Sequence, residues 1–158
     1  MATVTCDKCK TQFALGKPKH RWIDKGNGVA LKYQQCPKCK SVFPERIQTS
    51  KQLDDVRKLR GMRYKAEQLA KVDERQHEDA VTEADMFQLE ILLEQEKLKA
   101  EYGQGFLKRS CPKCGLPATQ MRPVKHSIGE TDGRQICRAR LGCLCGWVGR
   151  YSDLKTQM

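Results

Sequence analysis

The sequence predicts an α+β chain in which two small β modules flank a long helical connector. Eight of its nine cysteines form close pairs, and these pairs lie towards the two ends of the 158 residues. Between Thr49 and Tyr102 there is no proline and only one glycine, Gly61, which favours helix. Alternating apolar residues near the cysteine pairs favour short strands. We therefore divide the chain into residues 1–48, 49–102 and 103–158.

The cysteine pairs predict two metal sites. Two thiolates separated by one or two residues can bind one ion from a single tight turn, and two such turns complete the tetrahedral four-sulphur shell that structural zinc prefers. We therefore expect two zinc ions. The predicted ligands of the first are Cys6, Cys9, Cys36 and Cys39, and those of the second are Cys111, Cys114, Cys143 and Cys145.

Several alternatives to this assignment stay open. Cys137 could replace Cys143, because the second pair of that site has one intervening residue rather than two. His20 and His126 are less suitable substitutes. Iron in a four-sulphur site is the alternative metal. The Cys36-Pro37-Lys38-Cys39 segment also suits thiol redox chemistry, but that chemistry requires a larger βαβ setting that the surrounding sequence does not predict.

The N-terminal cysteine pairs enclose a predicted β-hairpin. The strands are expected at residues 21–24 and 29–33, joined by Asn27-Gly28, a typical type I′ turn. Period two places Val29, Leu31 and Tyr33 on one face. We expect a minimal core made of aromatic residues, with a ligand-stacking surface as the alternative: Phe13, Trp22, Tyr33 and Phe43.

The C-terminal cysteine pairs enclose a predicted basic strand at residues 134–141, after a turn at 129–133. Period two places Cys137 with Ala139 and Leu141, and places three arginines on the other face. A neighbouring strand near residues 119–125 is expected to add further cations. Because the fork of arginine suits phosphate, the candidate nucleic-acid contacts are Arg122, Lys125, Arg134, Arg138 and Arg140.

A cysteine pair in a tight turn, then a hairpin and then a second cysteine pair: this order resembles the zinc-ribbon class. The resemblance covers residues 3–45 and is repeated in the C-terminal module. The Cys111-Pro-Lys-Cys114-Gly segment, a basic strand and Cys143-Leu-Cys145-Gly are similar to ribbons of transcription and replication proteins. They are also loosely similar to small zinc-finger regulators of bacterial phages. The cysteine spacing departs from that of the phage regulators, so their role in activating promoters does not transfer.

The connector predicts helices that pair with each other as a coiled coil. Thr49 is the expected N-cap, with Gln52 reaching back in a capping box, and Gly103 is the expected stop. Residues 50–71 are basic and residues 72–102 are acidic, so the two halves favour an antiparallel arrangement. We expect a hairpin that bends near residues 76–82. A single long helix that forms an antiparallel homodimer is the alternative.

Charge and composition favour binding over catalysis. Residues 1–49 and 103–158 each contain ten Lys/Arg and three Asp/Glu, a distribution typical of nucleic-acid binders. No motif of a nucleotide-binding loop, a nucleophile elbow or a zinc protease is present, and a closed four-sulphur site leaves no open position for catalysis. We expect a non-enzymatic, cytoplasmic, accessory or regulatory protein that binds nucleic acid, with DNA favoured over RNA. A protein–protein adaptor or inhibitor is the alternative, and no signal peptide or membrane span is predicted.

Overall fold

The computed structural model describes residues 2–102 and 108–157, and within these ranges the fold is α+β with two helices and several small sheets. The helices are α1 (Ser50–Leu69) and α2 (Glu74–Tyr102). The strands are β1 (Thr3–Thr5), β2 (Gln12–Ala14), β3 (Lys19–Asp24), β4 (Val29–Gln35), β5 (Val42–Gln48), β6 (Lys108–Ser110), β7 (Arg122–Thr131), β8 (Arg134–Gly142), β9 (Val148–Gly149) and β10 (Lys155–Gln157). We call residues 2–48 the N-terminal module and residues 108–157 the C-terminal module.

The N-terminal module is built on an antiparallel sheet in the order β3-β4-β5. The predicted alternation in β4 is confirmed, because Val29 and Leu31 are buried and Tyr33 packs against them. Ile47 of β5 and Leu98 of α2 complete this core. The core is therefore mainly aliphatic rather than aromatic.

The prediction that Trp22 belongs to this core is wrong, because the residue is 59% exposed. It pairs with Ala30, so it projects from the face of the sheet opposite to Leu31. Phe13 and Phe43 are only partly buried and contact each other, with ring centroids 6.0 Å apart.

The loop between β3 and β4 differs from the predicted Asn-Gly type I′ turn. Asp24 pairs with Val29, which leaves four residues in the loop, and of these only Gly28 has a positive φ (68°). The Asp24 carboxylate accepts hydrogen bonds from the backbone and side-chain amides of Asn27. This side-chain bonding stabilises the longer loop, in which Asn27 does not need the left-handed conformation.

The C-terminal module is built on the sheet β7-β8-β9. The turn between β7 and β8 is shorter than predicted, because Thr131 pairs with Arg134 and only Asp132 and Gly133 lie between them. Both have positive φ, 54° and 72°, as a two-residue type I′ turn requires. At the other end of β7, residues 118–120 form a 3₁₀ turn, and the strand begins at Arg122 rather than at Thr119.

The connector is a helical hairpin within one chain. α1 and α2 run antiparallel, as shown by the ion pair Arg63–Asp85 at 2.6 Å and by the contact of His77 with the carbonyl of Ala66. The bend lies at residues 70–73, not at 76–82. Asp73 causes this shift, because its carboxylate accepts hydrogen bonds from the N–H groups of Arg75 and Gln76 and so starts α2 immediately after it.

The start of α1 is partly as predicted. Thr49 is the N-cap and accepts a hydrogen bond from the N–H of Gln52. The side chain of Gln52 is instead buried and accepts a hydrogen bond from Gln95 of α2. Gly103, the expected stop of α2, lies outside the described residues. Neither described helix has both the length and the apolar character needed to cross a membrane.

α2 packs against both modules. Its Leu93 belongs to the core of the C-terminal module with Met121, Leu141 and Leu154, and its Leu98 belongs to the N-terminal core. Gln95 binds the backbone of β5, since its amide accepts from the N–H of Ile47 and donates to the carbonyl of the same residue. These bonds satisfy backbone groups on the open edge of β5.

A buried carboxylate connects α2 to the C-terminal module. Glu96 is 4% exposed and accepts a hydrogen bond of 2.5 Å from the hydroxyl of Tyr151. Lys99 lies 3.4 Å from the same carboxylate and Arg109 lies 3.9 Å from it. Burial, and secondly the bond to Glu96, raise the pKa of Tyr151, so the phenol stays protonated as the donor.

We expect the change Gly61→Ala to raise the stability of the protein. Gly61 lies inside α1 with no neighbouring atom within 4 Å of an added Cβ, and alanine is favoured over glycine in a helix by about 0.8–1 kcal/mol. Urea denaturation followed by circular dichroism measures the change. The matched control is Gly133→Ala, which must lower stability because Gly133 has a φ of 72°. Equal effects of the two changes would contradict this account.

We expect Tyr151→Phe to lower the free energy of unfolding by about 1–3 kcal/mol, because the buried Glu96 carboxylate loses a charge-assisted hydrogen bond. The same denaturation experiment measures it. Tyr64→Phe is the control, since Tyr64 is 64% exposed, and exposed substitutions usually change stability by less than about 0.5 kcal/mol. A Tyr151→Phe protein as stable as the control would show that Glu96 does not depend on this bond.

Candidate metal centres and candidate nucleic-acid interface

The structure brings the eight predicted cysteines together in two groups of four. In each group all four sulphur atoms lie within 4.8 Å of one another, and the members are Cys6, Cys9, Cys36 and Cys39 in the first group and Cys111, Cys114, Cys143 and Cys145 in the second. Each group can therefore hold one metal ion. All nine cysteines are free thiols.

The distances between sulphur atoms fit a tetrahedral ion. Cys6 and Cys39 are 3.5 Å apart, as are Cys9 and Cys36, and in the second group Cys111 and Cys145 are 3.8 Å apart. A regular tetrahedron with metal–sulphur bonds of about 2.3 Å has edges of about 3.8 Å. A disulfide would instead require about 2.05 Å. The donor set therefore suits a four-sulphur metal site.

Each of the first three cysteine pairs lies in the same backbone turn. In each turn the N–H of the first cysteine donates to the carbonyl of the residue five positions later. The N–H of the residue that follows the second cysteine donates to the carbonyl of the first cysteine. These partners are Thr11 and Lys10 for Cys6, Ser41 and Lys40 for Cys36, and Leu116 and Gly115 for Cys111. The residue that follows the second cysteine has a positive φ of 58°, 62° and 78° respectively. The turn directs backbone amides towards sulphur, as in the contact of the Lys113 N–H with Cys111 Sγ at 3.4 Å.

The fourth pair makes a shorter version of this turn. The N–H of Cys143 donates to the carbonyl of Trp147, four residues later, and Gly146 donates back to Cys143. Gly146 has a φ of 90°, a conformation that favours glycine. One intervening residue between Cys143 and Cys145 is therefore sufficient, and the irregular spacing does not prevent a four-sulphur group.

The alternative ligands lie outside the two groups. Cys137 is on β8 opposite Ser127, and its carbonyl accepts a hydrogen bond from Thr82 of α2. His20 pairs with Lys32, and His126 pairs with Arg138 on β7 and β8. Within residues 2–102 and 108–157, neither histidine belongs to a group that could hold an ion.

The surroundings of several thiols favour the thiolate that binds metals. Hydrogen bonds from the side chain and then the N–H of Thr11 lower the pKa of Cys9 to about 6, and Ser41 in the same way lowers the pKa of Cys39.

Cys143 behaves in the opposite way. The Cys145 N–H acts to lower the pKa of Cys143, but burial and the neighbouring thiols together raise this pKa to about 12. A metal must displace a proton there, so metal affinity falls as the pH is lowered.

The predicted arginine face of β8 is only partly available to a ligand. Arg122, Arg138 and Arg140 share one face, because Arg140 pairs with Val124 and Arg138 pairs with His126. Lys125 pairs with Ala139 and so lies on the opposite face, which corrects its predicted position. Arg134 forms an ion pair with Glu78 of α2, so part of its charge is already neutralised within the molecule.

A second basic surface, which the sequence did not indicate, lies on the outer face of the N-terminal sheet. His20, Lys32 and Arg46 form one row across β3, β4 and β5, and Trp22 with Ala30 and Gln48 forms the next row. We call these two rows the outer face. Sequence reasoning misses it because aromatic content alone places Trp22 in the core. The alternation in β4 could have revealed it. Because Leu31 faces the core, Lys32 and the residue that pairs with it on β3 must face outwards.

A cleft adjoins this outer face, between β5 and the first half of α1. It has a volume of about 310 Å³, and its lining includes Arg46, Arg57, Arg60, Gln48 and Gln52. The lining residues also include Ile47, Leu53 and Val56, so an apolar wall lies beside the arginines. The spacing of Arg57 and Arg60 places both on one side of the helix, a signal that is readable from the sequence but weak alone.

Comparison of the chain with protein-family models, with curated proteins and with solved structures gives no match.

The ligand assignment predicts the metal content of two single variants. Cys143→Ser should lower the metal from two ions per chain to one, because it removes a sulphur from the second group. Cys137→Ser should leave two ions. Elemental analysis of the purified proteins measures both, and the emission of Trp147, which packs against the C-terminal core, should change only in the first variant. The reverse result would make Cys137 the ligand.

Proposed function

We propose that this protein is a non-enzymatic zinc protein that binds nucleic acid through two basic zinc ribbons and acts as an accessory or regulatory factor. One observation carries the proposal: within the described ranges, no lysine or arginine of residues 2–48 forms an ion pair with a carboxylate. A small module with ten such residues therefore presents unneutralised positive charge, and a phosphate backbone is a suitable partner for it.

The distribution of acidic residues supports this proposal. The described ion pairs lie within the helical hairpin or join it to the C-terminal module, as in Arg63–Asp85, Glu96–Arg109 and Glu78–Arg134. The carboxylates of α2 therefore stabilise the fold instead of neutralising the N-terminal module. On the C-terminal module, Arg122 and Arg138 are exposed and are the candidates for additional phosphate contacts.

Zinc is the proposed metal at both centres. It prefers closed tetrahedral sites, and a site with four sulphur ligands has no open position for water or substrate. Its role would be to fold modules that are too small for their cores alone. Iron at either centre would colour the purified protein, whereas zinc is colourless.

A protein–protein adaptor is the second candidate function, with one observation in its favour. Leu144, between two cysteines of the second group, is 84% exposed. Ile128 of β7 is also exposed, so the C-terminal module presents apolar side chains that a protein partner could cover. Formation of a homodimer through the helical connector stays a prediction that analytical ultracentrifugation can test.

The binding test uses the full-length, metal-loaded protein with duplex DNA, single-stranded DNA and RNA over a series of salt concentrations. Binding should weaken steeply as salt rises. The double variant Arg138→Ala, Arg140→Ala should bind more weakly with a smaller salt slope, because each phosphate that the variant leaves unneutralised keeps about one counterion. Unchanged binding by this variant would remove the C-terminal face from the interface. An absence of binding to all three nucleic acids at about 50 mM salt would favour the adaptor.

A further inference from the structure

The cleft between β5 and α1 has the features of an anion site. Three arginines line it, and no carboxylate is among its lining residues. Arg57 also lies 3.4 Å from the carboxylate of Asp54, but both side chains are well exposed, and exposed pairs of this kind are weak. Gln52, which also lines it, is only 7% exposed, and among the described residues its Nε2 group has no hydrogen-bond partner. The Oε1 atom of Gln48, which also lines the cleft, is likewise buried and without a partner among the described residues. Buried amide groups are nearly always bonded, and the three guanidinium groups beside the Gln52 donor favour an anionic acceptor for it. A phosphate oxygen supplies that acceptor and the opposite charge.

The outer face continues from this cleft towards an exposed aromatic ring. Arg46 belongs both to the cleft lining and to the row with Lys32 and His20. Trp22 lies in the adjacent row, two strands away from Gln48, which also lines the cleft. Strands in a sheet are about 4.8 Å apart, so Trp22 is on the order of 10 Å from the cleft across the sheet. A dinucleotide can bridge such a distance.

Two properties of this surface fit a single strand better than a duplex. The indole of Trp22 is 59% exposed, and an exposed indole can stack on an unpaired base. In a duplex the base faces are already stacked on each other, so the ring would have no partner. The cations lie along one line beside the ring, as the phosphates of a single strand do.

We propose that the outer face and the cleft form one path for single-stranded nucleic acid, with a base stacked on Trp22 and a phosphate bound by Arg57, Arg60 and Gln52. This inference rests on the proposed function and specifies the class of its ligand. Lys32 and Arg46 contact the phosphates between these two points. The path reads no sequence, because every base has a face that can stack.

The test measures binding of a fluorescent twelve-nucleotide oligothymidine to the full-length protein by anisotropy, with a duplex of equal length alongside. Trp22→Ala should weaken binding of the single strand roughly tenfold, and Trp22→Phe should restore most of it. The double variant Arg57→Gln, Arg60→Gln should lower the salt slope for the single strand by about 0.7, because the two arginines bind one phosphate.

The control residues lie on the helical hairpin, as Arg57 and Arg60 do. Tyr64→Ala removes another exposed aromatic residue, and the double variant Lys65→Gln, Lys71→Gln removes the same charge from exposed positions outside the cleft. Both controls should bind the single strand as the wild type does. Metal content and circular dichroism should match the wild type in every variant that is compared.

The outcomes separate this inference from the proposed function. If the wild type binds nucleic acid and the Trp22 and arginine variants bind as tightly as the controls, the path is wrong while the proposed function stands. If the wild type binds neither oligonucleotide at about 50 mM salt, the proposed function fails and the path fails with it. Equal affinity for thymidine monophosphate and the oligonucleotide would overturn the path in favour of a free nucleotide.

Discussion

The approach of four cysteine sulphurs in each module is the constraint on which the rest of the structure depends. Cys6 and Cys36 are fully buried, as is Cys111, so the sulphur groups occupy positions that a larger domain would fill with aliphatic side chains. The remaining core of the N-terminal module consists of a few aliphatic residues and a leucine from α2. A bound ion would supply the cohesion that so small a core lacks.

The second structural determinant is α2, because it contributes to both modules at once. Leu93 and Leu98 lie in different cores, Gln95 binds the edge of β5, and Glu96 binds Tyr151. One helix therefore fixes two modules that have no extensive core of their own. It also explains the charge of the connector: acidic residues on α2 pair with basic residues of α1 and of β8.

This internal use of the carboxylates determines where positive charge stays available. Arg134 is the first residue of the predicted arginine face, yet Glu78 binds it. The outer face of the N-terminal sheet has no such acidic neighbour among the described ion pairs, and it also carries Trp22. The geometry thus moves the strongest candidate interface from the C-terminal strand, where arginines are dense in the sequence, to a face made by three strands and a helix.

The sequence by itself determined the cysteine pairs, the helical connector, the N-cap at Thr49 and the inward alternation of Val29 and Leu31, because each depends on residues a few positions apart. Only the tertiary structure grouped Cys143 rather than Cys137 with the other three sulphurs, placed the bend before Glu74, turned Trp22 outwards and paired Arg134 with Glu78. Most of these features depend on packing between elements that are 20 or more residues apart in the chain. The position of the bend depends on a single side chain, Asp73, which caps the start of α2 and so separates it from α1. Periodicity reports which residues share a face, but the partner of that face is set by packing.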